Sequence, residues 1–290
     1  MEKFLDSMEL LTGTVTELDG ISGSCFLNKN IDKALIPNRK EVIKVIKDLQ
    51  SLLFPNYFKH SAGSENVLSQ TELLLNIYNR LVLQIKGAFQ FNQTEMLKSP
   101  EEYCNEFIIQ LPKVKKLLIK DIEAIYEGDP AAKCQEEVLI CYPGFYAISI
   151  YRLAHELYKL KIPLIPRIMT EFAHEKTGID LHAGATVGEY FCIDHGTGIV
   201  VGETTTIGDH VKIYQGVTLG AKSLKVDENG NLIKNLKRHP DIGNNVVIYA
   251  NATILGGDTK IGDNCIIGGN TWLTESVEAG KTIYYTNEKK

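Results

Sequence analysis

The sequence predicts an α+β chain: an N-terminal α-helical domain followed by a left-handed parallel β-helix carrying one extruded hairpin loop. Three observations carry this. Apolar residues recur at helical spacing as far as Gly178 and not beyond it. From Leu181 onward, aliphatic residues recur every sixth position instead. One interruption of that repeat, residues 220–241, holds Asn229-Gly230 between alternating segments, Leu224/Val226 before it and Leu232/Leu236 after it, which is a β-hairpin pattern.

The helical elements follow in order. Residues 38–54 place Val42, Ile43, Ile46, Leu49 and Leu53 on one face, and residues 71–91 do the same with Leu74, Ile77, Tyr78, Leu81 and Ile85. Residues 99–108 open with Ser99 as N-cap, Pro100 at the first helical position and Glu102 at the third. A helix around 114–127 stops at Gly128-Asp129-Pro130, and helices over 143–160 and 165–178 follow, the last closed by Gly178.

Beyond Gly178 the chain reads in sixes: LHAGAT, VGEYFC, IDHGTG, IVVGET, TTIGDH, VKIYQG, VTLGAK. Aliphatic side chains at this period point to the axis of a three-sided prism, three hexads closing one coil of about eighteen residues, with coils about 4.8 Å apart. After the hairpin the sixes resume at Ile242, Ile248 and Ile254, slip by one residue across Gly256-Gly257-Asp258-Thr259-Lys260, and continue at Ile261, Ile267 and Leu273. The expected boundaries are 1–178 for the helical domain, 179–275 for the β-helix and 276–290 for a short polar tail.

Composition excludes several classes of function. A net charge of -5 over 290 residues argues against nucleic-acid binding, although basic clusters at 113–120 and 222–238 could meet a phosphate. No apolar run approaches the roughly 20 residues needed to span a bilayer, and no targeting segment is visible at the start. The six cysteines are scattered without a CxxC pair, as for free thiols in the cytoplasm.

Asp194-His195 falls at a turn of the prism, either an ordinary polar corner or a catalytic pair. Asp180 precedes His195 by fifteen residues, three short of a coil, so its carboxylate could orient the imidazole as a general base. The rival is zinc held by histidines from among His182, His195, His210 and His239, but no three fall on one edge by spacing, and no metal is expected. Ala221, Ala250 and Gly269 each lie two places beyond an aliphatic column residue. They read either as a groove along one edge for a thin ligand or as turns that favour small residues.

The strings GDPAAK, YPGFYAISIYRLAHELY, GIDLHAGATVGEYFCIDHGTGIVVGET, YQGVTLGA and KRHPDIG resemble the serine O-acetyltransferases that open cysteine biosynthesis, over about residues 125–275. The resemblance implies transfer of acetyl from acetyl-CoA to the L-serine hydroxyl. It implies that His195, oriented by Asp180, takes the hydroxyl proton, that Asp129 and Asp194 hold the substrate ammonium, and that Arg238 and His239 hold its carboxylate. Pantetheine would lie along Gly220, Ala221, Ala250 and Gly269. It further implies homotrimers or dimers of trimers, with sites between neighbouring prisms, and cysteine as feedback inhibitor. Three departures stand out: Tyr146 where a histidine is usual, a longer hairpin, and a missing C-terminal segment, which argues against a complex with O-acetylserine sulfhydrylase. The alternatives are another hydroxyl acceptor (homoserine, phosphoserine or a sugar) and an inactive cysteine-sensing homologue.

Overall fold

The computed structural model of the chain describes residues 2–23, 36–58, 69–223, 226–228, 230–233 and 236–285. Leu224 and Asn229 of the expected hairpin, and the chain beyond residue 285, lie outside the described residues. The molecule divides into two compact units, Met1–Ile36 and Pro37–Lys290. The first carries helix α1 (Glu2–Gly23), along which the hydroxyls of Thr12, Thr14 and Thr16 each donate to the carbonyl four residues back.

Among its described residues the second unit starts with seven helices: α2 (Arg39–Leu53), α3 (Gln70–Asn92), α4 (Pro100–Ile108), α5 (Leu111–Gly128), α6 (Gln135–Cys141), α7 (Pro143–Lys159) and α8 (Ile165–Thr177). The start of α4 is the capping box read from the sequence, Ser99 and Glu102 satisfying each other's backbone N–H. Helix α8 ends where Gly178 takes a left-handed conformation, φ 71°, that a side chain would strain. Helix α6 escaped the sequence reading because seven residues do not span two full turns of apolar repeat.

The strands wind into a prism with three parallel faces. The first face stacks β1 (Ile179–Leu181), β4 (Ile199–Val201), β7 (Thr218–Gly220), β10 (Thr253–Leu255) and β13 (Trp272–Leu273). The second stacks β2 (Thr186–Val187), β5 (Thr206–Ile207), β8 (Asp241–Ile242) and β11 (Lys260–Ile261). The third stacks β3 (Cys192–Ile193), β6 (Lys212–Ile213), β9 (Val247–Ile248), β12 (Ile266–Ile267) and β14 (Thr282–Ile283). This is the left-handed parallel β-helix that the hexads predict. The column residues Leu181, Val201, Leu219 and Ile254, with Ile207, Ile213 and Ile248, fill the axis and are buried. Strand β14 pairs with β12, so the segment expected as a tail supplies one more strand.

Coil length is not uniform. Ile179 pairs with Ile199, twenty positions on, whereas Val200 pairs with Thr218, eighteen on. The two extra residues fall in the corner between the third and first faces, Asp194 to Gly198, and push that corner outward. The one-residue slip near Thr259 falls at the corner between the first and second faces, against the end of the hairpin. There Gly257 leaves room for the returning chain, since a Cβ would stand 2.6 Å from the Lys237 carbonyl oxygen. The hairpin itself forms, through an antiparallel bridge between Val226 and Leu232.

A buried ion pair joins the helices to the prism. Arg152 of α7 meets Asp121 of α5 through Nε–Oδ2 at 3.0 Å and Nη2–Oδ1 at 2.9 Å. The guanidinium also donates to the Val187 and Gly188 carbonyls, and Asp121 accepts from the Phe191 N–H. The opposite charges are matched and the guanidinium makes four hydrogen bonds, the condition for a buried pair to hold position. It sets the end of α5, and so Asp129, against the first coil.

Candidate active site

The corner between the third and first faces, hereafter the third corner, carries the acidic half of the site. Asp129 directly follows α5; its carboxylate accepts from the Tyr142 hydroxyl at 2.6 Å and from the Ala131 N–H at 2.8 Å. The Tyr142 hydrogen bond, with that backbone N–H, holds the Asp129 carboxyl below its ordinary range, and the same bond pushes the Tyr142 phenol up to about 12. Asp194 follows β3. Its neighbour His195 occupies the outpushed corner in a left-handed conformation, φ 57°, with a side chain 72 % exposed. His195 Nε2 lies 3.8 Å from Asp194 Oδ1.

Two contacts define the surroundings of this pair. Among the described residues no hydrogen bond or ion pair joins Asp180 to His195; the Asp180 carboxylate instead faces Arg167 Nη1 at 3.8 Å. The spacing argument assumed an eighteen-residue first coil, and the two additional residues carry His195 outward. The corner does rest on the right place, since Gly198 N–H donates to the Gly178 carbonyl, two residues before Asp180. Secondly, Asp194 is not an open anion: Lys212 Nζ bonds its Oδ2 at 2.8 Å.

The corner between the first and second faces, the first corner, carries the basic half. Arg238 pairs with Glu203, which also accepts from the Tyr158 hydroxyl at 2.9 Å. His239 is 7 % exposed, and burial, reinforced by the Arg238 charge, drives its pKa down to about 4. Its Nδ1 accepts the Thr204 N–H at 3.1 Å. That bond places the single ring proton on Nε2, so His239 is a neutral hydrogen-bond donor with a set tautomer.

The expected strip of small residues also divides. Gly220 and Ala221 lie at the end of β7, on the first corner, whereas Ala250 and Gly269 follow β9 and β12, on the third. A Cβ on Gly269 would stand 3.0 Å from the Ala250 carbonyl oxygen, so those two stack directly. The single edge expected is two edges, because Leu219 lies on the first face whereas Ile248 and Ile267 lie on the third. Of the four prism histidines, His182 and His239 share the first corner, His195 stands on the third, and His210 stacks on Tyr190 at the remaining one. Among the described residues, Glu171, His174 and Asp180 bring ligating atoms within 4.8 Å, but Arg167 already pairs with Glu171 and supplies the balancing charge.

Sequence reasoning missed Tyr142, Glu203 and Lys212. A change of column at residue 199, where the aliphatic position moves from first to third in each six, was the visible sign of the enlarged corner. Tyr146, noted as a departure, is half-buried and packs against the core.

No family model matches the chain. A Synechococcus elongatus protein named "Serine acetyltransferase, plasmid" is 47% identical over 260 residues, covering 86% of this chain and 81% of its own. A Staphylococcus aureus serine acetyltransferase is 44% identical over 168 residues, 58% of this chain and 74% of its own. Among solved structures, Entamoeba histolytica serine acetyltransferase 1 in complex with L-cysteine superposes with a TM-score of 0.72 at 32% identity, covering 88% of this chain and 93% of that one. Soybean serine acetyltransferase complexed with serine gives 0.58 at 26% identity, over 94% and 89% of the two chains. Among the described residues no helix is long and apolar enough to cross a membrane.

Proposed function

Because the chain belongs to the serine acetyltransferase family, we propose that it assembles its reaction centre between copies of itself, the third corner of one facing the first corner of the next. The reaction moves acetyl from acetyl-CoA to the hydroxyl of L-serine, giving O-acetylserine and CoA for cysteine biosynthesis. One observation carries the shared site. The charged groups and the small residues both divide between the same two corners, at successive heights of the prism. Within one chain these corners stand at opposite ends of a three-residue strand, roughly 10 Å apart, too far for one serine to bridge.

His195 takes the serine hydroxyl proton on a ring nitrogen as the oxygen attacks the thioester carbonyl. The carbon–sulfur bond breaks, and the imidazolium returns the proton to the departing thiolate. Asp180, two residues past the stacking contact, orients the imidazole once the exposed ring turns toward it. Asp129 and Asp194 make the ammonium side of the pocket. Arg238, forked and steadied by Glu203, and the Nε2–H of His239 receive the carboxylate. Gly220 and Ala221 on one copy and Ala250 and Gly269 on the other line a cleft thin enough for pantetheine. Three copies close the arrangement with each corner used once. L-Cysteine, held by the Entamoeba relative, differs from serine in one atom and occupies the same place as inhibitor.

Complementation tests the shared site. His195→Ala and Arg238→Ala chains, each inactive in thiol release from acetyl-CoA with serine, are unfolded together and reassembled. Mixed assemblies contain intact pairs of corners and regain part of the wild-type rate. No recovery in assemblies shown to be mixed places the whole site in one chain and ends the proposal.

A further inference from the structure

Lys212 stands inside the acidic half of the site, where the sequence placed no cation. We propose that it is a positioning residue: it occupies Asp194, ties the end of α5 to the second coil, leaves the substrate ammonium to Asp129, and keeps His195 neutral. This rests on the serine-acetylating reading above.

Its contacts are specific. An ammonium has three donors; Nζ of Lys212 spends one on Asp194 Oδ2 at 2.8 Å and another on the Gly128 carbonyl oxygen at 2.6 Å. The Tyr214 ring lies 4.5 Å from Nζ and covers a further side. The lysine side chain is only 16 % exposed, so this is no loose surface pair. Burial opposes the charge, yet the bonds to Asp194 and Tyr214 hold the ammonium above the usual lysine range. Gly128 closes α5, where helix carbonyls gather partial negative charge, and Asp129 comes next. One lysine therefore fixes both carboxylates of the pocket relative to each other.

The charges follow from these contacts. Around His195 stand Asp194 on its own corner, Asp129 and the Tyr142 phenol from the helical side, and Lys212 and the Tyr214 phenol from the next coil. Cys192 of β3 is a buried thiol pushed up to about 12 and stays neutral. Asp180 on the first face is balanced by Arg167. With Lys212 present the pocket keeps one net negative charge, a match for one ammonium. Without it, two carboxylates face the imidazole and favour the imidazolium, which cannot accept a proton.

The test is the pH dependence of kcat/KM for serine in the full-length enzyme, comparing wild type, K212M and K212R by thiol release from acetyl-CoA. In K212M the acid limb moves up by about half to one pH unit. Serine KM rises about ten-fold, and kcat on the alkaline plateau stays within about two-fold of wild type. K212R restores the wild-type limb, because the charge is what matters. The double variant D194N/K212M, which again leaves one net negative charge, returns the limb toward its wild-type position, the pair being coupled. If methionine at this buried position unfolds the chain, K212Q carries the same expectations. An unchanged limb, equal losses in K212M and K212R, or a fall in serine KM overturns the proposal; the last would make Lys212 a competitor for the ammonium's place. A wild type that releases no thiol with serine would instead remove the functional reading itself.

Discussion

Two histidines on two corners of the same prism have opposite surroundings. His195 sits on a corner enlarged by two residues, its ring mostly in solvent and 3.8 Å from its nearest carboxylate. His239 is sealed against Gly202 and bonded through Nδ1 to Thr204, at the foot of a hairpin. The same imidazole stands open to solvent on one corner and is confined to one neutral tautomer on the other. Solvation makes the difference: water supports either protonation state, whereas burial charges the full desolvation cost to the cation. A stacked prism permits this division because a corner can be enlarged without disturbing the column residues behind it.

The sharpest way to break this contrast is to remove the exposed imidazole. His195→Ala is expected to lower kcat by about two to four orders of magnitude with serine binding retained. Steady-state kinetics alongside calorimetric serine titration would show it, and near-normal turnover would strip the third corner of its chemical role. A smaller effect is expected from Tyr142→Phe, which deletes the donor that holds Asp129. Serine KM should rise by about five- to ten-fold with little change in kcat, and an unaltered KM would detach Asp129 from the ammonium.

The mildest test titrates the buried corner. The folded-state pKa of His239 is lowered from 6.5 to about 4, so between those values the unfolded chain takes up a proton that the folded chain refuses. The stability contributed is complete above about pH 6.5 and is lost as pH falls toward 4. His155 and His182 are lowered in the same direction by burial and add to the trend. Urea midpoints measured at pH 7, 5.5 and 4.5 should fall in that order. His239→Asn should flatten part of the slope, and an identical slope in that variant would mean His239 is charged in the folded protein.

Much of this was legible in residue order. The sixes required a prism, because side chains at that period have no other common axis. Ser99-Pro100 with Glu102 announced the start of α4 through contacts within a single turn. Asp194-His195, Asp129 and Arg238-His239 were found as candidates by spacing and resemblance. Their partners were not, since Lys212 reaches back across eighty-four positions to Gly128 and Arg238 across thirty-five to Glu203. No local pattern marks such a meeting.

By itself the sequence determined the periods: helical until Gly178, sixfold after it, interrupted once. Period is a property of neighbours along the chain, and hydrophobic burial turns it into helix or prism. Only the tertiary structure decided which corner each polar residue occupies, that Asp194 is matched by Lys212, and that the small residues lie on two edges. Those facts depend on which corner takes up the extra residues and on contacts between residues far apart in sequence, because coils of twenty, eighteen and nineteen residues all keep the same strands stacked on each face.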